Sequence, residues 1–289
     1  MEFLQPSSWA DALAAKAEHP DAVPICGGTD VMVEINFDRR RPPALLDLTR
    51  VPDLATWTTE DGRVRLGAGV TYARVIDELG DVLPGLAMAS RTVGSPQIRN
   101  RGTVGGNLGA ASPAGDSHPA LLAADCEVEV ASASGTRRIP IADFYTGVKR
   151  NALAADELIA AVWVTPPSGP QQFSKIGTRN AMVISVAAFG LALHPDREQV
   201  GTGIGSAAPT PRRAPDAEQF AAHALAEAGL WHSRGPLPAS LAAEFGTRVR
   251  AAASPIDDVR GSAAYRLHSL SVMARRALTW AWDDYRKAA

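Results

Sequence analysis

The chain has 289 residues, enough for about two domains of ordinary size, and 29 Lys+Arg against 31 Asp+Glu leave a formal charge of −2. A balance so close to neutral creates no long-range field for nucleic acid or an anionic membrane, and no basic patch is interleaved with aromatics. Two cysteines, Cys26 and Cys126, are too few for a disulfide scaffold, a structural zinc site or an iron–sulfur cluster built by this chain alone.

The stretch MEFLQPSSWADALAAKAEHP has early acidic residues and no apolar core of the kind a secretory signal needs, and no run is long and apolar enough to span a membrane. The chain is therefore read as cytoplasmic, without membrane insertion. Ser8 and Asp11 form a capping pattern before a first helix that stops at Pro20. AVPIC is a short strand, and GGTD leads into a helix over VMVEI that Thr29 or Asp30 would cap. ALLDLT is a second buried strand, closing a unit of about residues 1–55. From 56 on, Asp61-Gly62 centres a hairpin, Thr71 opens the helix YARVIDEL, and Pro84 starts another helical stretch. After a glycine-rich run come a helix PALLAAD, a hairpin across Ser134-Gly135 and a strand DELIAAVWV. TPPSGP is the linker, which divides the chain into residues 1–165 and 171–289. Beyond it lie three antiparallel strands, FSKIGT, ISVAAFGLAL and QVGTGIGS, and a long terminal helix from SAAYRLH onward. Cys126, inside an apolar run, reads as a buried thiol.

The run RNRGTVGGNLGAASPAGDSHP is dominated by glycine and small side chains, which lose chain entropy on folding and bury little apolar area. It is therefore not a packed core element, and disorder and a ligand that needs close approach of backbone N–H groups are the two candidates. Two Gly-Gly segments, Gly27-Gly28 and Gly105-Gly106, each neighbour a threonine hydroxyl, and together could aim converging N–H donors at a pyrophosphate. Neither fits the Rossmann or P-loop pattern. His118 before a proline reads as structural, and the other histidines are scattered. Arg99 and Arg101 could face a phosphate or a partner.

PICGGTDVMVEI together with QIRNRGTVGGNLGAASPAGDSHPALLAAD resembles the flavin subunit of molybdenum hydroxylases of the xanthine and carbon monoxide dehydrogenase type. DFYTGVKRNALAADELIAAVWV, FSKIGTRNAMVISVAA and VRGSAAYRLHSLSVMARRAL continue the resemblance over essentially the whole chain. It implies an α+β protein: a vanillyl-alcohol-oxidase (PCMH)-type FAD-binding fold of two N-terminal subdomains, then a C-terminal α+β domain with a three-stranded antiparallel sheet and helices. It also implies an FAD site. Ile25, Cys26, Gly27, Gly28, Thr29, Asp30 and Val31 would take part of the pyrophosphate and ribityl chain. Thr103, Gly105, Gly106 and Asn107 would take the other side, and Asp116 would accept from the ribityl hydroxyls. Ile159 would line the isoalloxazine, and Lys175 would set a positive charge near its pyrimidine end.

The implied activity is oxidoreductase electron transfer, from two [2Fe-2S] clusters in a small partner chain through FAD to NAD+ or another acceptor. A large partner chain carrying the molybdenum cofactor would hydroxylate the substrate, in a dimer of heterotrimers. No Ser/His/Asp set, acid pair or metal cluster suggests bond-making on an organic substrate by this chain. The alternative is a stand-alone flavin oxidase or dehydrogenase of a small molecule. Two departures from the family pattern matter. Cys26 stands where a small residue, commonly alanine, is usual, and Val93 stands where some members stack an aromatic ring. The first loop has no histidine to attack the flavin, so FAD is expected to bind noncovalently.

Overall fold

The computed structural model describes residues 1–288. It opens with β1 (Glu2–Leu4), α1 (Trp9–Glu18), β2 (Val23–Ile25), α2 (Val31–Asn36) and β3 (Ala44–Asp47). The strands pair in parallel in the order β1-β3-β2. Ser8 caps α1 by accepting from the Asp11 N–H. The expected cap of α2 is not made: Asp30 occupies the N-cap position but its side chain accepts no backbone bond, and no residue of α2 is buried.

A 3-10 turn at Pro52–Ala55 leads to a second unit. In chain order it holds β4 (Trp57–Glu60), β5 (Arg63–Gly67), α3 (Tyr72–Glu78), α4 (Pro84–Arg91), α5 (Pro96–Arg101), α6 (Val104–Ala110) and α7 (Ser117–Ala123). Then come β6 (Glu127–Ser132), β7 (Gly135–Pro140), α8 (Ile141–Phe144), β8 (Tyr145–Gly147), β9 (Arg150–Asn151) and β10 (Leu158–Val164). The main sheet is antiparallel in the order β4-β5-β10-β6-β7, with β10 at its centre and buried along its whole length. That is why its sequence is a continuous apolar run. Positive φ at both Asp61 and Gly62 gives the β4–β5 turn the twist a two-residue hairpin needs.

The glycine-rich run differs from its expectation. It is not a bare loop: two helices, α5 and α6, occupy much of it, and Val104 and Leu108 are fully buried. Glycine costs a helix about 1 kcal/mol relative to alanine. The cost is offset here by capping and close packing. The Thr103 hydroxyl accepts from the Gly106 N–H at 3.0 Å, and Gly105 lies so close to the end of β5 that a Cβ would sit 2.4 Å from that of Ala68.

After a coil over 165–170, the chain forms β11 (Gln171–Ile176), β12 (Ala187–His194) and β13 (Gln199–Gly205), antiparallel in that order, as expected. α9 (Pro215–Glu227), α10 (Leu230–Ser233), α11 (Ala239–Ala251) and the long α12 (Ala263–Lys287) complete it. These elements enclose a second core around Phe189, Phe245 and Trp282, separate from the first around Leu66, Val128 and Val162. The two halves meet where α7 lies across β12 and β13. Glycines line the seam: a Cβ at Gly203 would lie 2.1 Å from the Pro119 carbonyl oxygen, and one at Gly201 would lie 2.1 Å from that of Ala123.

Candidate functional site

Residues 25–31 run from the end of β2 into α2. Gly28 turns the chain with φ +71°, a conformation only glycine adopts freely. Among the described residues, the backbone N–H groups of Gly27, Gly28, Thr29, Asp30 and Val31 make no hydrogen bond within the chain. Five adjacent donors without protein partners are what an anionic ligand can use. The loop is braced from behind by the second motif. A Cβ on Gly27 would lie 2.0 Å from the Arg101 carbonyl oxygen, and Thr29 Oγ1 approaches Gly102. Burial raises the Cys26 thiol pKa, which the nearby Thr103 hydroxyl draws back only in part, and this keeps it a protonated and unreactive thiol. Cys26, Thr49, Thr71, Asn100, Arg101 and Thr103 help line one pocket of about 150 Å³ at this junction.

The second segment does something different from the expectation that it offers bare donors. Val104 N–H donates to the Val70 carbonyl, Gly105 to that of Ala68, Gly106 to the Thr103 hydroxyl and Asn107 to the Thr103 carbonyl. All four donors are satisfied internally because the segment is helical and docked on residues 68–70. What α6 does present is surface without side chains: Gly106 and Gly109, one turn apart, are both exposed. Ile159 of β10 faces the same helix, with its Cδ1 3.8 Å from where a Gly109 Cβ would be.

Asp116 and Lys175 come together from the two halves of the chain. Each is 8% exposed, and Lys175 Nζ lies 2.5 Å from Asp116 Oδ2 and donates at 3.1 Å to the Thr92 carbonyl. The Lys175 charge, expected near the pyrimidine end of a flavin, is paired within the protein with Asp116. Asp116 makes no helix-capping bond. Burial raises its carboxyl pKa, and Lys175, with the Thr92 and Ser185 hydroxyls, draws it back only in part. Its Oδ1 is buried without a partner, an orphaned acceptor in a native-like core. The segment 175–180 lines a second, more open pocket beside this pair.

Sequence reasoning missed the residues behind α6. The Tyr72 hydroxyl donates to Ser117 Oγ, which donates to Asn107 Oδ1. Tyr72 is 45 positions from Ser117, so no local pattern joins them. Arg99, left open between phosphate and partner, donates to the Val93 and Gly94 carbonyls and so ties the turn between α4 and α5. Cys126 is buried, as its apolar surroundings imply.

His118 is fully buried, with Nδ1 2.8 Å from the Tyr145 hydroxyl, and burial pushes its pKa down to about 3. Above the unfolded value of about 6.5 neither state binds the proton. As pH falls from there toward 3, the unfolded chain takes up a proton that the folded chain refuses, so stability falls by about 1.4 kcal/mol per pH unit. Urea unfolding at pH 7 and pH 5 should therefore show about 2 kcal/mol more acid loss for the native chain than for His118→Gln. Equal losses would contradict this.

Comparison with known proteins follows the same division of the chain. Residues 1–167 match the family model described as the FAD binding domain in molybdopterin dehydrogenase, and residues 172–281 match the CO dehydrogenase flavoprotein C-terminal domain. The chain is 31% identical to a putative xanthine dehydrogenase FAD-binding subunit of Escherichia coli K12, over 96% of its own length and 94% of that protein. It is 32% identical to the nicotine 6-hydroxylase medium subunit of Paenarthrobacter nicotinovorans, with 96% of each covered. In structure it is similar to a chain of the reconstituted CO dehydrogenase from Oligotropha carboxidovorans, with a TM-score of 0.88 at 26% identity over 98% of both chains.

Proposed function

Because the chain belongs to the FAD-binding medium subunits of the molybdenum hydroxylase family, we propose that residues 25–31 hold the FAD pyrophosphate and that the bare face of α6 lies along the cofactor. Asp116 Oδ1 then finds its missing donor on the ribityl chain, and Ile159 borders the ring. The observation that carries this reading is the row of five unpartnered N–H groups at Gly27–Val31, matched by the orphaned carboxylate oxygen of Asp116. Both are polar groups a bound FAD would satisfy, so the residues present fit it. In this reading Gly105 is a packing residue behind the site, while Thr103 and Asn107 border the site through their side chains.

When bound, FAD supplies a ring system that accepts electrons singly and releases them in pairs. The chain's own contribution is to bind and orient it. The first loop neutralises the diphosphate with N–H dipoles, with no lysine or arginine side chain needed there. The Asp116–Lys175 pair presents an oriented dipole at the other end, and tight packing of α6 on β5 excludes water from behind. The binding is noncovalent, since no histidine stands in the first loop.

The complex we assign to this chain is cytoplasmic and is completed by a molybdenum-cofactor large subunit and a small subunit with two [2Fe-2S] clusters, as a dimer of heterotrimers. It delivers reducing equivalents to NAD+ or another acceptor, and the large subunit chooses the substrate. Among the described residues no helix is long and apolar enough to cross a membrane. The first test is spectroscopic. The purified chain, reconstituted with FAD and desalted, should keep a flavin absorbance spectrum that trichloroacetic acid releases into the supernatant. A chain that stays colourless overturns the proposal, and flavin retained in the acid pellet overturns noncovalent binding.

A further inference from the structure

We propose that Gly109 is kept as glycine by the bound cofactor and not by the fold: the flavin ring lies there directly on the backbone of α6, in the space a Cβ would take. The inference rests on the FAD reading above and deepens it, by naming the part of the cofactor that meets the helix.

Five glycines lie inside helices: Gly85 in α4, Gly105, Gly106 and Gly109 in α6, and Gly246 in α11. A glycine destabilises a helix relative to alanine, because it loses more backbone freedom and packs nothing in return. Four of the five have a reason within the protein. A Cβ would lie 2.6 Å from Gln171 Oε1 at Gly85, 2.4 Å from the Ala68 Cβ at Gly105, 2.9 Å from the Thr103 hydroxyl at Gly106 and 2.6 Å from the Ser271 carbonyl oxygen at Gly246. Gly109 has no such neighbour. Outside its own helix backbone and its two chain neighbours, the described residues bring only Ile159 Cδ1 within 4 Å of a Cβ there, at an ordinary contact distance of 3.8 Å. Its backbone makes no demand either, since Gly109 is not among the residues of positive φ. The left-handed position that ends α6, where glycine's freedom would be of use, belongs to Ala111, with φ +45°.

The surroundings say what takes the space. Gly109 is exposed, its carbonyl accepts from Asn151 Nδ2 at 3.0 Å, and its N–H lies within the helix. It therefore offers no free polar group, only bare backbone beside the Ile159 methyl. The phosphate and ribityl parts of FAD need donors and acceptors, and those stand elsewhere, in the N–H row of the first loop and at Asp116 Oδ1. A flat and largely apolar ring needs neither, and gains from close contact over its area. A second sign of a ligand adjoins the same helix. Gly115 packs on α6 so closely that a Cβ would lie 2.8 Å from Asn107 Oδ1, and the next residue is Asp116, whose side chain is 8% exposed and whose Oδ1 has no partner.

The test compares Gly109→Ala with Gly105→Ala by apo-protein melting, by FAD titration read through flavin fluorescence, and by the visible circular dichroism of the bound flavin at saturation. Gly109→Ala should raise the apo Tm by about 1–2 °C, because it removes a helix glycine that the fold does not use. The same variant should bind FAD roughly tenfold more weakly, as a Cβ overpacks the ring. The flavin it still binds should show an altered visible spectrum, since the contact is with the chromophore. Gly105→Ala, whose Cβ collides within the protein, should lower the apo Tm. A fall in the apo Tm of Gly109→Ala would show that the fold requires this glycine and overturns the inference, as does an unchanged FAD affinity. Weakened binding with a native flavin spectrum puts the contact on another part of FAD and overturns it too. If the unaltered chain binds no FAD at all, the functional reading fails first.

Discussion

Asp116→Ala should destabilise the protein by about 3–5 kcal/mol, because it leaves a buried ammonium without its counter-charge. The Asp116 and Lys175 side chains are each 8% exposed, and among the described residues the only other group bonded to Lys175 Nζ is the Thr92 carbonyl. Replacing both charges together, as Asp116→Asn with Lys175→Met, should recover most of the loss, since a buried pair gains little over a well-packed neutral one. Lys175→Met alone has a distinct pH signature. The carboxyl pKa, already raised by burial, rises further without the ammonium. The folded state then binds a proton more tightly than the unfolded chain. The stabilisation from that proton is complete below the ordinary carboxylate pKa and is lost as pH climbs through the raised one. Guanidinium unfolding between pH 5 and pH 8 should find the variant relatively more stable at the acid end. A flat difference from the native chain across that range would show that the pair does not govern stability here.

Gly27→Ala is expected to have the second large effect, on folding and on FAD binding together. The new Cβ would meet the Arg101 carbonyl oxygen at 2.0 Å, its carbon at 2.6 Å and the Gly102 Cα at 3.0 Å. All three are backbone atoms that cannot rotate aside, so the first loop must lift off the end of α5. Overpacking of this kind costs about 3 kcal/mol. The same displacement tilts the donor row at Gly27–Val31, and FAD affinity should fall roughly a hundredfold, the equivalent of about one hydrogen bond to a charged group. Gly28→Ala makes the control. Its φ of +71° imposes strain of about 1–2 kcal/mol, but its Cβ would meet only side-chain atoms, Met32 Cγ at 3.3 Å and Ile25 Cδ1 at 3.6 Å. Thermal melts and FAD titration of the two variants should rank Gly27→Ala as the more damaging in both. The reverse order would refute the bracing role assigned to Arg101.

Much of the fold was legible where local chemistry decides it. The caps at Ser8 and Thr71 and the hairpin at Asp61-Gly62 carry their signals within a few residues, and the unbroken apolar run of β10 matches its central place in the sheet. β1 was not legible, because a three-residue strand paired with β3 across some forty positions leaves no pattern of its own. α9 buries Ala217, Ala221 and Glu218 and a single large apolar residue, Leu225, so its apolar period is faint. The glycine run misled in an instructive way. Composition pointed to open loop, but Gly105 is needed for contact with Ala68 and Gly106 for an exposed face, two requirements that look identical in a sequence. Asp116 and Lys175 could be named from the family resemblance. That they neutralise each other could not, because 59 residues separate them and only the docking of the two halves brings them together.

That docking has a consequence for how a cofactor meets the chain. α7 begins directly after Asp116 and rests by its own carbonyls on the glycines of β12 and β13, with no layer of side chains between. Side chains can change rotamer and let two layers slide, whereas backbone in van der Waals contact has no such slack. The spacing between Asp116 and the strand that carries Lys175 is therefore set by the seam itself. A ligand that binds beside this pair would meet groups already held in place, and less of its binding free energy would be lost to ordering the protein around it.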